Sequence, residues 1–239
     1  MASEADDFLQ SAELYDAIYY FKNYQRESEY LNNLIGRIVP DARTLLDVAC
    51  GTGEHAKFLK QYYSVDGVDL NENYLEAARR KNPCGIYRPA DMTDFDIGCR
   101  YDVVTCLFSA IGYVGTVACA ERAIECMARH VQPSGILIVE PWFTPDSWQS
   151  GTLTINTGET NDGIVCRMAL SQREDLLAVI SLHYLRGARQ GVRYYSEQLE
   201  LGLFTKEEMM RSFEQAGMHV TYEPAGLIGR GLYIGTFSR

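Results

Sequence analysis

The segment best suited to chemistry is an apolar run that ends in a glycine-containing turn. Residues 45–55 read LLDVACGTGEH, so Gly51 and Gly53 follow a predicted strand and precede a predicted helix. Glycines here let the backbone turn sharply and approach a ligand closely, at the carboxyl end of a strand, where α/β proteins bind ligands. The segment therefore predicts a ligand site around Ala49, Gly51 and Gly53.

The same turn argues against a dinucleotide. Ala56 stands where the dinucleotide fingerprint prefers a third glycine, a mild departure because alanine is tolerated there. Glu54 opens the following helix, where its charge would repel a pyrophosphate. The pattern therefore favours a ligand without a phosphate at this turn and disfavours a nicotinamide oxidoreductase.

Acidic residues follow the next two predicted strands. Asp69 ends the run VDGVDL, about 20 residues past the turn, where a carboxylate accepts hydrogen bonds from both hydroxyls of a ribose. Asp91 and Met92 follow a third predicted strand and could frame an adenine, with Asp91 near its amino group and Met92 against its ring. As an alternative, Asp91 only caps a turn.

The elements that position these residues alternate between strand and helix, which predicts a parallel sheet with helices on both faces. Helix 26–39 stops before Pro40, and Thr205 caps a later helix. The expected strands are 44–49, 65–70, 85–89, 101–108, 135–141, 218–222 and 232–237, and the other expected helices are 54–62, 72–81 and 118–130.

Two segments depart from this alternation. Residues 9–30 contain five tyrosines and predict two short helical pieces around residues 21–24. Residues 152–201 predict four successive antiparallel strands, in which the apolar alternation of Leu176, Ala178, Ile180 and Leu182 could form a dimer contact. We expect one domain, 1–239, made of an N-terminal helical lid (1–40), a ligand-binding core (41–150), an inserted antiparallel sheet (151–203) and a closing helix and strands (204–239).

The charge and amino-acid composition of the chain limit the kinds of partner that it can bind. The net charge of −10, with no basic run, disfavours a nucleic-acid substrate. Seven scattered cysteines without a CxxC pair fit free thiols in a reducing compartment and predict no metal site. The acidic N-terminus lacks the order of a signal peptide, and no apolar run has the roughly 18 residues of a membrane span. We expect a cytoplasmic protein without a membrane partner.

The chain resembles the class I S-adenosylmethionine methyltransferases, and among them the N,N-dimethyltransferases of dTDP-linked amino sugars of the desosamine and mycaminose type. The likeness covers nearly the whole chain and includes LLDVACGTGEH, FSAIGYV (108–114), ILIVEPWF (136–143), GVRYYSEQLELGLFT (191–205) and GLIGRGLYIG (226–235). It implies a Rossmann-like seven-stranded sheet with an inserted antiparallel sheet. It also implies methyl transfer to a small molecule. At Tyr24 the chain has KNY where the family usually has KDY, and around Lys22 the family's Gly/Arg-containing segment is shorter and reads YFKNY.

The resemblance also implies roles for individual residues. Tyr19 and Tyr113 would face the sugar and its amine, and either could accept the departing proton. The cofactor S-adenosylmethionine would be held by Tyr24, Ala49, Gly51, Gly53, Asp69, Leu70, Asp91, Met92 and Leu107. The substrate and its diphosphate would contact Tyr19, Trp142, Arg167, Ser171, Arg173, His183 and Arg230.

Other interpretations stay open at this stage. The tyrosines could pack a core, the arginines could form surface salt bridges, and His183 could be a satisfied sheet residue. The acceptor could be another amine or a hydroxyl, or the chain could bind the cofactor without performing chemistry. An amine needs no strong base, since part of it is neutral near pH 7, whereas a hydroxyl would need a base or a metal.

Overall fold

A computed structural model describes residues 11–238, which form a seven-stranded sheet in the order β10-β11-β5-β4-β1-β2-β3. Strand β11 runs antiparallel to both of its neighbours, and the other neighbouring pairs are parallel. The strands of this sheet are β1 (Thr44–Val48), β2 (Ser64–Asp69), β3 (Tyr87–Pro89), β4 (Tyr101–Cys106), β5 (Val131–Val139), β10 (Met218–Glu223) and β11 (Leu232–Phe237).

Helices cover both faces of this sheet, as predicted. Successive residues of β1 point to opposite faces, so Leu45 packs with Leu31 of α2 while Leu46 packs with Ile124 of α5 and Phe213 of α6. The helices are α1 (Ala12–Ile18), α2 (Tyr24–Ile38), α3 (Glu54–Leu59), α4 (Glu72–Lys81), α5 (Val117–Arg129) and α6 (Lys206–Gln215), with a 3₁₀ helix at Ala110–Val114.

Gly53 sets the distance between α3 and α4. Its φ is 76°, and a Cβ atom added there would lie 2.8 Å from the Cβ of Ala78 in α4. Only glycine combines this backbone conformation with so close an approach. The glycine therefore fixes where α3 begins, and with it the shape of the turn after β1.

The inserted segment forms the predicted antiparallel sheet, in the order β6-β7-β8-β9. Its inner face packs on α1, where Leu14 and Ile18 meet Val165, Leu182 and Tyr184. Its strands are β6 (Leu153–Thr160), β7 (Gly163–Glu174), β8 (Leu177–Ala188) and β9 (Gly191–Gly202). This packing places α1 between the second sheet and the first.

Three of the four residues predicted to form a dimer contact lie on the inner face of this sheet, whereas Leu176 is 51% exposed in the turn before β8. Ala178 and Leu182 are only 0% and 4% exposed and point inward with Ile180, because the pleat sends alternate residues to opposite faces. The large exposed apolar residues of these strands lie on the opposite face, which we call the outer face: Leu153, Ile155, Ile164, Met168, Leu185, Val192 and Tyr194.

Some predicted boundaries were wrong. The N-terminal segment contains one short helix, α1, followed by a five-residue turn and then α2, which is continuous from Tyr24 to Ile38. Strand β5 begins at Val131, before the predicted Gly135. Residues 1–10 and 239, which include the start of the first predicted helical piece, lie outside the described residues. No helix between residues 11 and 238 has the length and apolarity to cross a membrane.

Candidate active site

A cavity of about 560 Å³ lies at the carboxyl ends of β1, β2 and β4, beneath α1 and the inner face of the second sheet. The position matches the site predicted from the glycine turn, and the volume is within the usual range of small-molecule sites. Ten of the residues singled out in the sequence line it together: Tyr19, Ala49, Gly51, Asp69, Leu70, Met92, Leu107, Tyr113, Trp142 and Arg167.

Asp69 both shapes the turn and borders the cavity. Its Oδ2 accepts a hydrogen bond of 2.8 Å from the Gly51 N–H, and its Oδ1 accepts one of 2.9 Å from the Asn71 N–H. Burial raises the pKa of this carboxyl, and the two backbone N–H groups oppose that shift. The carboxylate therefore fixes the Gly51 backbone while standing where the sequence predicts a ribose.

The loop after β4 is strained and faces the same cavity. Phe108 and Ser109 have φ values of 51° and 61°, a conformation that costs side-chain-bearing residues energy. The Phe108 N–H donates to Glu140 Oε2 over 2.6 Å, and Ser109 Oγ donates to the Pro141 carbonyl over 2.7 Å. Glu140, which the sequence analysis did not single out, thus holds the loop in place.

Tyr24 lies in a smaller adjoining pocket together with Asp47 and His55. Its ring contacts that of His55 edge to face, with 4.9 Å between centroids. Asp47 is buried and accepts a 2.8 Å hydrogen bond from Thr105 Oγ1. Burial raises the pKa of Asp47 to about 6, although His55 and Thr105 oppose the shift.

Helix α1 is tied to the glycine turn by ionic and hydrogen-bonded contacts. Asp16 accepts a 2.6 Å hydrogen bond from Thr52 Oγ1 and pairs with Lys81 at 2.6 Å. Lys81 also pairs with Glu54 at 2.8 Å. Because the Glu54 charge is balanced by a lysine, its repulsion of a pyrophosphate is weaker than the sequence alone suggests.

Arg167 and Tyr19 meet above the cavity from two different elements. Arg167 Nη1 donates to the Tyr19 hydroxyl over 3.0 Å, and the guanidinium lies 4.9 Å from the centre of the Tyr19 ring. Tyr19 in turn contacts the Phe108 ring edge to face at 5.0 Å. The predicted substrate residues Tyr19 and Arg167 are therefore neighbours.

Tyr113 extends from the 3₁₀ helix into the cavity, which is why its side chain is 57% exposed. Desolvation in this concave site, with Tyr19 and Glu197 nearby, raises the pKa of Tyr113 far above its usual 10. Its hydroxyl stays protonated at neutral pH and is suited to donate a hydrogen bond. The predicted role of Tyr113 as a proton acceptor stays a prediction.

Glu197 is a cavity residue that the sequence analysis missed. It lies on β9, and its Oε1 accepts a 2.7 Å hydrogen bond from the Tyr184 hydroxyl of β8. Tyr195, Glu197 and Leu199 alternate along β9, which signals a strand with one buried face. That pattern could not show that the buried face borders a ligand cavity.

Besides Tyr24, Gly53 and Arg230, four predicted residues do not line this cavity. His183 lies on the outer face of the second sheet and shares a 2.6 Å hydrogen bond with the Tyr194 hydroxyl. Asp91 is exposed and accepts hydrogen bonds from the Thr93 backbone and hydroxyl, as a turn cap does. Arg173 donates to the carbonyls of Asp175 and Pro145, and the backbone of Ser171 pairs with residues 151 and 152.

Arg230 approaches the cavity wall from the loop before β11. Its guanidinium lies 5.1 Å from the Trp142 ring and 5.5 Å from the Phe143 ring. Burial lowers the pKa of Arg230, while the buried Glu140 opposes that shift. Arg230 therefore stacks on Trp142, itself a lining residue, and adds a cation at this edge.

Three buried polar atoms near the cavity have no hydrogen-bond partner among the described residues: Glu140 Oε1, Trp142 Nε1 and Arg167 Nε. Buried polar groups are normally satisfied, so such atoms mark places for a ligand. A Cβ atom added to Gly51 would meet nothing within 4 Å, which leaves room along that backbone for a bound molecule. Within residues 11–238, no three His, Cys, Asp or Glu side chains group as metal ligands.

The strand order with one antiparallel strand beside β5, the glycine turn after β1 and the carboxylate ending β2 together define a class I S-adenosylmethionine-dependent methyltransferase. A family model described as a methyltransferase domain matches residues 45–135. The space beside Gly51 and the Asp69 carboxylate next to it fit this cofactor, which is the methyl donor of the class.

Proteins that are similar over nearly the whole chain identify a narrower family within this class. The dTDP-3-amino-3,6-dideoxy-alpha-D-glucopyranose N,N-dimethyltransferase of Streptomyces fradiae is 39% identical, over 97% of this chain and 92% of that protein. The crystal structure of Streptomyces venezuelae DesVI has a TM-score of 0.89 at 31% identity, covering 95% of this chain and 98% of that one. CalS10 with bound S-adenosylmethionine, an amino pentose methyltransferase from Micromonospora echinaspora, has a TM-score of 0.86 at 33% identity, covering 94% and 97%. The chain belongs to the family of dTDP-amino-sugar N,N-dimethyltransferases.

Proposed function

We propose that this methyltransferase acts on the amino group of a dTDP-linked amino sugar and adds two methyl groups. The observation that carries the proposal is the 39% identity, over 97% of the chain, to an enzyme named for that reaction. The cavity supports it, because tyrosines and one arginine line the wall opposite the glycine turn. The cytoplasmic location expected from the sequence stays a prediction.

Bound S-adenosylmethionine supplies an electrophilic methyl group on a sulfonium. In the proposal Asp69 accepts the ribose hydroxyls, Met92 and Leu107 flank the adenine, and Tyr24 and Asp47 hold the methionine end. Helix α1 covers the cavity and excludes water. Alignment of the two reactants contributes about 7–11 kcal/mol to lowering the barrier, so the protein needs no strong base for an amine.

The aromatic and basic side chains complete the acceptor half of the site. The faces of Tyr19 and Tyr113 stabilise a cationic amine by about 0.5–2 kcal/mol each. Arg167, Trp142 and Arg230 carry donors suited to a diphosphate and lie on or beside the cavity wall. Ser171, Arg173 and His183 do not line this cavity, so they would contact the substrate only if it extended over another surface of the protein. Asp91 would contact the adenine only if its side chain left the turn that it caps.

The test is an incubation of the pure protein with labelled S-adenosylmethionine and a panel of dTDP-amino sugars with their hydroxyl counterparts. We expect mono- and then dimethylated amines, identified by mass spectrometry. Turnover on hydroxyls alone would reject the amino-sugar acceptor. Cofactor binding measured by calorimetry with no product from any acceptor would favour the non-catalytic alternative.

Cofactor affinity should depend on pH through Asp47. Because its pKa in the free protein is raised to about 6, Asp47 is protonated below that pH and cannot pair with the ammonium group of the cofactor. One linked proton makes the dissociation constant about tenfold larger at pH 5 than at pH 7. Isothermal titration calorimetry across this range measures the change.

Asp47→Asn is the control, since it keeps the size of the side chain and removes its titration. His55 lies in the same pocket and is present in both proteins, so the difference between them isolates Asp47. A dissociation constant in the unmodified protein that stays within twofold from pH 5 to pH 7 would contradict the assignment.

We also propose a homodimer through the outer face of the second sheet, which replaces the inward-facing contact predicted from the sequence. Met168 lies near the centre of that face and is 48% exposed, with Ile155 beside it on β6. Met168→Glu places a charge in the proposed contact and should convert a dimer to a monomer, as measured by light scattering after size exclusion. Gln149→Glu adds the same charge on an exposed loop and should leave the mass unchanged. A monomeric unmodified protein would overturn the dimer.

A further inference from the structure

The cavity lining contains two carboxylates, Asp69 and Glu197, and they stand on different walls. Asp69 Oδ2 accepts a hydrogen bond from the Gly51 N–H of the glycine turn, and its Oδ1 accepts one from the Asn71 N–H after β2. Glu197 belongs to the inserted sheet, where one oxygen accepts from Tyr184. The rings of Tyr74 and Tyr113 line the same cavity, and the charges of Asp69 and Glu197 both contribute to raising the pKa of these two phenols.

The charged and titratable groups around Glu197 come from several elements. They are Tyr184 on β8, Arg167 on β7, Tyr113 on the 3₁₀ helix, Tyr74 on α4 and Tyr19 after α1. Arg167 directs its Nη1 to Tyr19 and its Nη2 to Asn156. Burial raises the pKa of Tyr74, Tyr113 and Tyr184, and the charge of Glu197 adds to each shift, so these phenols stay neutral. A positively charged group of a ligand at this wall would therefore contact the Glu197 carboxylate, which the Tyr184 hydroxyl holds in place.

We propose that Glu197 is the anionic partner of the acceptor nitrogen and makes this site select amines over hydroxyls. The inference rests on the proposed function and names the residue that sets its acceptor specificity. Tyr184 is the positioning residue, because its hydroxyl fixes one oxygen of the Glu197 carboxylate.

The electron balance of the transfer explains why a carboxylate belongs here. The acceptor pairs with the carboxylate as an ammonium and first releases one proton to water, which frees the nitrogen lone pair. The lone pair forms the new N–C bond, the C–S bond breaks, and its electron pair stays on sulfur, which becomes a neutral thioether. Positive charge thus moves from sulfur to nitrogen, and the N–H proton then leaves to water. A fixed negative charge near the nitrogen stabilises this developing cation more than it stabilises the starting amine.

A hydroxyl acceptor gains nothing comparable from the same group. It must lose its proton to give a neutral ether, so no lasting cation forms beside the carboxylate. The charge of Glu197 would also oppose formation of an alkoxide in a site of low dielectric constant. The same residue therefore favours one acceptor and disfavours the other.

Glu197→Gln tests the proposal, with Glu200→Gln as the matched control. Glu200 lies on the same strand, is exposed and contacts Gln198 on the outer face. With dTDP-3-amino-3,6-dideoxyglucose as acceptor, kcat/KM should fall about 100-fold in Glu197→Gln and stay unchanged in Glu200→Gln. Glu197→Asp should recover part of the loss.

A second measurement separates recognition from a structural role. The unmodified enzyme should bind the amino sugar nucleotide at least about tenfold more tightly than its 3-hydroxyl analogue, and Glu197→Gln should bring that ratio close to one. An equal loss of affinity for both ligands, or no loss for either, would overturn the role of Glu197. If the unmodified enzyme methylates no amine, the proposed function fails instead, so the two failures are distinguishable.

Discussion

Asp69→Ala should weaken binding of S-adenosylmethionine by at least about 100-fold, which corresponds to about 2.7 kcal/mol. Two losses add in this variant. The ribose hydroxyls lose their charged acceptor, and the Gly51 N–H loses the 2.8 Å hydrogen bond that holds the turn after β1. Isothermal titration calorimetry with the donor measures the effect directly, without an acceptor.

Asp91→Ala is the informative comparison. Its carboxylate is exposed and bonds to Thr93, so we expect affinity for the donor to fall by less than about threefold. An equal loss in the two variants would mean that Asp91 leaves its turn to reach the adenine. Unchanged affinity in Asp69→Ala would show that the nucleoside does not lie across β1 and β2.

Glu27→Gln should lower the free energy of unfolding by about 3 kcal/mol at pH 7, because it leaves a buried cation without its partner. Glu27 pairs with Lys22, whose side chain is 4% exposed, and its other oxygen lies 2.8 Å from His55 Nε2. Chemical denaturation monitored by circular dichroism measures the change.

The pKa of Glu27 determines how its contribution to the free energy of unfolding changes with pH. Burial raises the pKa of Glu27, but His55 and Lys22 outweigh it and lower the pKa below its usual 4.5. A lowered carboxyl pKa stabilises the fold above pH 4.5, and this stabilisation disappears as pH falls through the lowered value. The difference in the free energy of unfolding between Glu27→Gln and the unmodified protein should therefore become smaller toward pH 3. Glu29→Gln, exposed on the same helix, should change little, and an equal effect there would contradict the role of the buried pair.

The cofactor half of the site could be predicted because its residues are local in sequence. The glycine turn follows directly after β1, and Asp69 ends the next strand, so adjacency of parallel strand ends brings them together. The acceptor half depends on how the inserted sheet folds over α1, which no local pattern encodes. Glu197 was missed for this reason. Glu140 was missed because it directly follows β5 and looks like an ordinary strand residue until its contact with the Phe108 loop is known.

His183 shows that a residue on a correctly predicted strand can still be assigned to the wrong face of the sheet. It sits one residue from Leu182 and Tyr184, both of which line the cavity, yet the pleat turns it to the outer face. A shift of one position reverses the assignment, and the sequence does not say which face is covered. The boundary between α1 and α2 was also predicted imprecisely, because tertiary contacts of Lys22 and Asp16 fix the turn between the two helices.

The seven residues of α1 contact two parts of the molecule at once, with Leu14 and Ile18 against the second sheet and Asp16 on the glycine turn. Because Leu14, Tyr15 and Ile18 of this helix line the cavity, we expect exchange of spent donor for fresh donor to require movement of α1, and that movement would also uncover the acceptor. An enzyme that methylates one nitrogen twice must therefore expose its half-finished product to solvent between the two rounds. Free monomethylated intermediate should accumulate early in the reaction and be consumed later.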